Sequence, residues 1–212
     1  MAEFWDVYSF DNQQLLLKTG EVVSRDAPFP SNGYHLVVQA WIRNSQGEYL
    51  ISQRSKEKGH AFHWEMTGGG VQAGENSLQA ACREVKEELG VLLPPEKGHF
   101  CFQGISQAKS RKDVVQVWLF DQIDIDVNSL TLQEEEVSSA MWASKNVIYA
   151  MRETNLWMPW KNFDYIDSFL GPREPTNDSV KKEIIDAANW LKEHRNENQG
   201  NILMAIVEKN NV

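Results

Sequence analysis

The chain has 212 residues, of which 42% are hydrophobic, so it can bury one main core with appendages but not two large cores. Acidic residues outnumber basic ones by 30 to 21, and the formal net charge of -9 argues against bulk electrostatic binding to nucleic acid or an anionic membrane. The two cysteines provide neither a disulfide framework nor zinc-ligand spacing, and the first residues lack a signal-peptide pattern. We therefore expect a cytoplasmic protein that binds neither nucleic acid nor membrane.

The first third of the chain is predicted to form strands. Residues 4–9 and 14–18 flank a turn and predict a short N-terminal hairpin. The segments 35–43 and 48–54 are rich in aliphatic residues and are separated by a short polar turn, which predicts a second hairpin. A short strand is expected at 63–67.

A helix is predicted to begin after a run of glycines. Asn76 is a suitable N-cap, and Gly90 is the residue type that ends a helix in the left-handed conformation. The glycines at 68–70 and Gly74 allow a tight loop whose backbone can approach a metal ion or a phosphate closely. Loop and helix are therefore expected to form one site.

This helix is predicted to carry a charged face opposite an apolar one. Glu84, Glu87 and Glu88 fall within one arc, whereas apolar residues fill another. Carboxylates three or four residues apart on a helix repel each other by roughly 0.2–0.5 kcal/mol per pair. A bound cation removes that cost, and hard divalent ions such as Mg²⁺ prefer oxygen ligands and often bind substrate phosphates.

The same stretch resembles the Nudix box. That pattern is Gly, five residues, Glu, seven residues, Arg-Glu, an aliphatic residue, any residue, Glu-Glu, any residue, Gly and an aliphatic residue. Every defined position is matched, at Gly69, Glu75, Arg83, Glu84, Val85, Glu87, Glu88, Gly90 and Val91. From this resemblance the chain is identified as a member of the Nudix family.

The remaining elements are three strands and then helices. Strands are predicted at 99–108, 113–124 and 137–142. Helices are predicted at 146–152 and 180–192, while 202–207 fits either a helix or a strand.

The expected fold class is α/β. The Nudix resemblance implies an α/β/α sandwich with a mixed sheet over roughly residues 34–153, to which we add the N-terminal hairpin and a C-terminal helical appendage. We expect residues 1–160 to form the Nudix domain, with 161–212 as a helical extension packed on it. A homodimer is expected from the habit of the family.

The resemblance also implies an activity, namely hydrolysis of a diphosphate linkage in a nucleoside diphosphate derivative with bound Mg²⁺ or Mn²⁺. A divalent ion neutralises pyrophosphate oxygens and activates the attacking water. The metal ligands implied by the family are the carbonyl of Gly69 and the carboxylates of Glu84, Glu87 and Glu88. Glu87 and Glu88 are also assigned catalytic roles.

The resemblance also implies supporting roles for Arg83 and Glu75 and two possible sources of the general base. Arg83 is expected to orient the carboxylates through bidentate bonds, and Glu75 to hold the loop or a bridging water. The general base is either a box glutamate or Glu135 in the acidic run 133–136, a run that equally fits a solvated turn. Arg54 and Lys58, before the box, are candidates for contacting substrate phosphates, although Lys58 also fits a solvated loop position.

Two alternatives remain open. Residues 33–43, the Gln-Arg-Ser at 53–55 and the Trp-Asp-Val-Tyr near the start resemble a Nudix branch compared with type I isopentenyl diphosphate isomerase. That isomerase uses a cysteine before its box, whereas the stretch 63–70 contains none and the box is intact, so isomerisation is the less favoured interpretation. The other alternative is a sensor that binds a nucleotide metabolite, but residues 155–212 contain no basic recognition helix.

Overall fold

The computed structural model describes residues 2–107, 112–160, 164–194 and 196–209. Within these residues the strands are β1 (Phe4–Phe10), β2 (Leu16–Ser24), β3 (His35–Ile42), β4 (Tyr49–Arg54), β5 (Trp64–Glu65), β6 (Thr67–Gly70), β7 (Gly98–Gln107), β8 (Lys112–Phe120) and β9 (Val137–Ala143). The helices are α1 (Ser77–Leu89), α2 (Lys145–Glu153), α3 (Ile166–Leu170), α4 (Asp178–Glu193) and α5 (Glu197–Lys209).

The strands form two sheets and a separate hairpin. A four-stranded sheet has the order β6-β3-β8-β7, in which β3 and β8 are parallel and the other pairs antiparallel. A three-stranded antiparallel sheet has the order β5-β4-β9, and β1 pairs with β2. The predicted α/β class, with a mixed sheet, an N-terminal hairpin and C-terminal helices, is confirmed.

The predicted hairpin of 35–43 with 48–54 is wrong. β3 and β4 lie in different sheets, and an isolated bridge between Arg43 and Tyr49 is the pairing at their junction. Both edges of β3 are taken, by β6 and β8, and seven of its eight residues are buried. A nearly continuous apolar run of this kind belongs to a central strand, which has no edge left for a hairpin partner.

The segment predicted as one strand at 63–67 divides between the two sheets. β5 pairs with β4, and β6 pairs with β3. Met66, which is 2% exposed, lies at the crossing point. The glycine run therefore begins at the junction of the sheets and leads directly into α1.

Helix α1 has the predicted limits and packing. The side chain of Asn76 accepts from the amide of Gln79, and the side chain of Gln79 accepts from the amide of Asn76, both at 2.9 Å. Gly90 ends the helix at φ 73°. Val85 and Leu89 are buried in one apolar cluster with residues of β3, whereas the side chain of Glu84 lies against Gly69 of β6.

The C-terminal helices share a core with the strands. Apolar residues of α2, α4 and α5 belong to the same buried cluster as Trp41 and Trp64. At Gly200 a Cβ atom would lie 2.5 Å from the carbonyl oxygen of Ala188, so the absence of a side chain permits the close approach of α5 to α4.

The segment 202–207, for which the sequence left two alternatives, is helical. The predicted boundary between residues 160 and 161 falls beside 161–163, outside the described residues.

Among the described residues, no helix is both long and apolar enough to cross a membrane.

Candidate active site

Arg83 lies among three carboxylates of the box, and we call this group the Arg83 cluster: Arg83 with Glu75, Glu84 and Glu87. Its Nε and Nη2 donate to the two carboxylate oxygens of Glu75 at 2.8 and 3.0 Å. Nη1 donates to Oε1 of Glu84 at 2.8 Å and to Oε2 of Glu87 at 2.9 Å. Nη2 also donates to the carbonyl of Gly70 at 2.9 Å. The bidentate contact of Arg83 is thus with Glu75, whereas Glu84 and Glu87 each accept one hydrogen bond. Arg83 also joins α1 to β6 through the carbonyl of Gly70.

Glu84 lies directly against Gly69. A Cβ atom at residue 69 would be 2.3 to 2.6 Å from the carboxyl atoms of Glu84, so only glycine leaves room for that carboxylate. Burial raises the pKa of Glu84, and the neighbouring charge of Glu87 adds to this effect, whereas Arg83 opposes it. The geometry brings together two of the residues expected to bind a metal.

Glu88 belongs to a second group, the Lys58 cluster, which consists of Lys58 with Glu88 and Glu136. The ammonium nitrogen of Lys58 is 3.6 Å from Oε1 of Glu88 and 2.5 Å from Oε2 of Glu136. Burial raises the pKa of Glu88 to about 8, an effect opposed by Lys58 and reinforced by nearby carboxylates, including that of Glu65. Glu88 is thus a buried carboxylate with more negative than positive neighbours.

The acidic run 133–136 lies beside the site, and two of its glutamates differ in what their side chains contact. Glu135 is exposed and its carbonyl accepts from the Ser55 hydroxyl at 2.5 Å, whereas the side chain of Glu136 reaches Lys58. The run is held beside α1 because the amide of Gln133 donates to the carbonyl of Glu88 at 3.0 Å. The carboxylate that faces the site is therefore that of Glu136. The sequence places four polar residues in succession there and does not show which one points inwards.

Arg54 and Lys58 both lie beside the carboxylates. Nη1 of Arg54 donates to Oε1 of Glu65 at 2.6 Å, and its Nε donates to the carbonyl of Gly59, also at 2.6 Å. Glu65 was missed at the sequence level, although a carboxylate within an apolar strand is a signal that could have identified it. The phosphate contacts expected of Arg54 and Lys58 stay predictions, since both side chains contact carboxylates in this structure.

The N-terminal hairpin holds the glycine loop, a role that the sequence did not reveal. Oδ2 of Asp6 accepts from the amide of Gly74 at 2.9 Å and from Nζ of Lys18 at 2.6 Å. The amide of Ala73 donates to the carbonyl of Phe4 at 2.8 Å. The loop that precedes α1 is therefore fixed from outside the box as well as from within it.

The residues of the site fit a hard divalent cation. Within the described parts of the chain, no three Asp, Glu, His or Cys side chains are already gathered as a metal cluster. One oxygen each of Glu84 and Glu87 contacts Arg83, and Oε1 of Glu88 lies near Lys58. Six carboxylates nevertheless meet three cationic side chains in the two clusters and the adjoining Arg54–Glu65 pair, which leaves a surplus of three negative charges when all are ionised. Such an oxygen-rich, negatively charged group suits Mg²⁺ or Mn²⁺.

The comparisons with known proteins agree with this geometry. A model of the NUDIX domain matches residues 33–166, more than half of the chain. An uncharacterised Nudix hydrolase of Listeria monocytogenes is 32% identical over 162 residues, which cover 74% of this chain and 89% of the relative. A Nudix hydrolase of Listeria innocua is 33% identical over 160 residues, with 74% and 89% covered. The crystal structure of a MutT protein from Methanosarcina mazei Go1 superposes with a TM-score of 0.53 and 25% identity, covering 64% of this chain and 92% of that one.

The chain therefore belongs to the Nudix family. It is a hydrolase that acts on pyrophosphate bonds.

Proposed function

We propose that this enzyme uses Mg²⁺ or Mn²⁺ to cleave the diphosphate linkage of a nucleoside diphosphate derivative. The observation that carries the proposal is the arrangement of Glu88. Its carboxylate is buried and lies near those of Glu84, Glu65 and Glu136, with Lys58 as the nearby cation. A buried carboxylate without full compensation is costly to the fold, and such sites are commonly functional.

The metal would be held by the carbonyl of Gly69 and by the carboxylates of Glu84, Glu87 and Glu88. When bound, a divalent ion supplies charge neutralisation at the phosphate oxygens and lowers the pKa of the attacking water. Arg83 fixes the orientation of Glu84 and Glu87 through the hydrogen bonds from its Nη1.

In place of Glu135 we assign the loop carboxylate of the reaction to Glu136. Its side chain is 36% exposed, so water can reach it, and it shares Lys58 with Glu88. In hydrolysis the oxygen of water bonds to phosphorus, the bond between phosphorus and the bridging oxygen breaks, and the proton of the water passes to the carboxylate of Glu136. The cleaved bridging oxygen leaves with the departing phosphate.

A cleft beside the Arg83 cluster offers room for the non-phosphate part of the substrate. It has a volume of about 620 Å³ and lies between the N-terminal hairpin and the start of α1. Glu75 lines it together with the amide side chains of Gln79, Gln103 and Gln116. Cavities of this size commonly hold small organic ligands, and amide groups pair well with the edge of a nucleobase.

The first experiment is a panel of diphosphate compounds assayed with Mg²⁺, with Mn²⁺ and with a chelator. The panel contains nucleoside di- and triphosphates, nucleotide sugars, dinucleoside polyphosphates, coenzymes and isopentenyl diphosphate, with products identified by ³¹P NMR. We expect metal-dependent cleavage of one nucleotide class. Cleavage that persists in the chelator would contradict the metal assignment, and formation of an isomer from isopentenyl diphosphate would replace hydrolysis by isomerisation.

A matched set of variants locates the activity in the site. Glu88→Gln is expected to reduce the cleavage by at least ~100-fold, whereas Glu96→Gln, at an exposed position after α1, is expected to retain it. Equal activity in the two variants would contradict the assignment of Glu88.

A further inference from the structure

Loop 55–62, which lies between β4 and β5, is contacted by Gln199 from the far end of the chain. Gln199, in α5, donates from Nε2 to the carbonyl of Phe62 at 2.9 Å. Its Oε1 accepts from Nε2 of Gln53 and from Nε1 of Trp64, both at 2.9 Å. One side chain of the C-terminal helix therefore bonds to both strands that flank the loop and to the loop itself.

The orientation of the Gln199 amide is determined by its partners. Oε1 faces two donors and Nε2 faces an acceptor, so the reversed amide would place like groups against each other. Gln53 is 2% exposed, and its own Nε2 donates to Phe62 at 3.2 Å while its Oε1 accepts from the Ser138 hydroxyl at 2.9 Å. Gln199 is half-buried, and a polar network in which each member has partners favours one arrangement of the groups that it joins.

The backbone of the loop needs such support. His60 has φ 55° and Phe62 has φ 62°, values that non-glycine residues seldom adopt and that persist only where the surroundings enforce them. The amide of Phe62 donates to the carbonyl of Arg54 at 3.1 Å. Both backbone groups of Phe62 are therefore hydrogen-bonded, the amide to Arg54 and the carbonyl to Gln199.

The same loop carries Lys58 into the site. Lys58 contacts Glu88 and Glu136 through its ammonium group, and the amide of Ser55 donates to the carbonyl of Glu136 at 2.9 Å. Three residues separate Lys58 from Phe62, so a change in the position of the Phe62 carbonyl is transmitted over a short length of chain. The close approach of α5 to α4 at Gly200, next to Gln199, fixes the other end of this connection.

We infer that Gln199 is a positioning residue of the active site, which holds loop 55–62 so that Lys58 stays against Glu88 and Glu136. The C-terminal helix thereby supports the reaction as well as the core. The inference rests on the proposed function in that the Lys58 cluster is taken to belong to the catalytic site.

Two variants of Gln199 separate the loop contact from the packing of α5. Gln199→Met loses all three hydrogen bonds at nearly the same size. Gln199→Glu keeps an acceptor for Gln53 and Trp64 but places a carboxylate oxygen against the Phe62 carbonyl. Asn201→Ala, at an exposed position of the same helix, is the matched control.

The first readout is hydrogen exchange of the full-length protein, which needs no substrate. We expect peptides that cover residues 55–63 to exchange faster in both Gln199 variants than in Asn201→Ala, while peptides of α4 exchange as in the wild type. Unchanged exchange in 55–63 would overturn the inference. So would an increase confined to α4 and α5, because it would show a role in helix packing alone.

The second readout is a double-mutant cycle with Lys58→Met on the substrate found by the panel. Gln199→Met is expected to lower kcat/KM by ~10-fold, since small displacements of a catalytic group have effects of this order or larger. If Gln199 acts through Lys58, the double variant Lys58→Met, Gln199→Met loses no more activity than Lys58→Met alone. Multiplicative losses would overturn the inference. If the wild type cleaves no compound of the panel, the proposed function fails, whereas the exchange experiment still decides the role of Gln199.

Discussion

The two halves of the active site are built in different ways. The Arg83 cluster takes all its members from one short stretch, the end of the glycine loop and helix α1. The Lys58 cluster takes Lys58 from the loop after β4, Glu88 from α1 and Glu136 from the turn before β9. The first is local in sequence, whereas the second exists only once the two sheets have come together.

The two cations also differ in how firmly they hold their partners. Arg83 donates five hydrogen bonds through a planar group, two of them to one carboxylate. Lys58 makes two ion contacts through a flexible stem. A guanidinium fixes the orientation of carboxylates, while an ammonium acts as a point charge that can exchange partners. We therefore expect the Arg83 cluster to organise the metal ligands and the Lys58 cluster to take part in the chemical step.

The largest effect on turnover is expected from a substitution of Glu88 in α1. Glu88→Gln is expected to reduce turnover by at least ~100-fold, because it removes the charge of a metal ligand. The metal-free variant should fold as well as the wild type, since the substitution removes a buried carboxylate near other carboxylates. Steady-state kinetics and thermal unfolding check the two statements, and near-normal turnover would remove Glu88 from the site.

The next largest effect distinguishes two neighbours in the acidic run. Glu136→Gln is expected to lower kcat by ~100-fold, in the range typical of the loss of a general base. Glu135→Gln should change kcat by less than about twofold, because its side chain is exposed and surface substitutions of this kind have small effects. Kinetics of the two variants under saturating metal decide between them. The reverse order of effects would restore Glu135 as the base.

A smaller effect is expected from the cation of the first cluster. Arg83→Lys keeps the charge but loses the bidentate contact with Glu75, and it is expected to lower kcat/KM by ~10-fold and to weaken Mn²⁺ binding by a similar factor. Lys58→Arg is the comparison variant, because it also keeps the charge but enlarges the cation of the Lys58 cluster. If Arg83→Lys binds Mn²⁺ as the wild type does, the guanidinium does not organise the ligands.

The smallest effect tests the external support of the glycine loop. Asp6→Asn weakens the contacts to Lys18 and to the amide of Gly74, with an expected loss of about 1 kcal/mol in the free energy of unfolding and little change in kcat.

The same variant has a pH signature. Burial tends to raise the pKa of Asp6, but the hydrogen bonds from Lys18 and Gly74 outweigh it, so the pKa is lowered. The stabilisation is therefore present above the pKa of the unfolded chain and is lost as pH falls through the lowered value. Between about pH 5 and about pH 3 the wild type should lose more thermal stability than Asp6→Asn. Parallel curves for the two proteins would contradict this account of the loop.

The sequence could predict features that depend on neighbouring residues, but not those that depend on how distant segments pack. The limits of α1 were readable because capping is a local property, whereas the role expected of Arg83 came from the Nudix resemblance and its pairing with Glu75 was not predicted. Glu136 was not distinguishable from Glu135, since the direction of a side chain in a turn depends on what the turn packs against. The separation of β3 from β4 was missed because a short polar turn between two apolar segments resembles a hairpin, whichever sheet each segment joins. Gln199 gave no local signal at all.

The central claim is that Glu88 binds the metal ion, and its most direct test is Mn²⁺ binding to the metal-free protein. Binding is measured by electron paramagnetic resonance in the wild type, Glu88→Gln and Glu96→Gln. The account predicts a bound ion in the wild type and in Glu96→Gln, with affinity weakened at least ~10-fold in Glu88→Gln. Equal binding by Glu88→Gln and the wild type would contradict it.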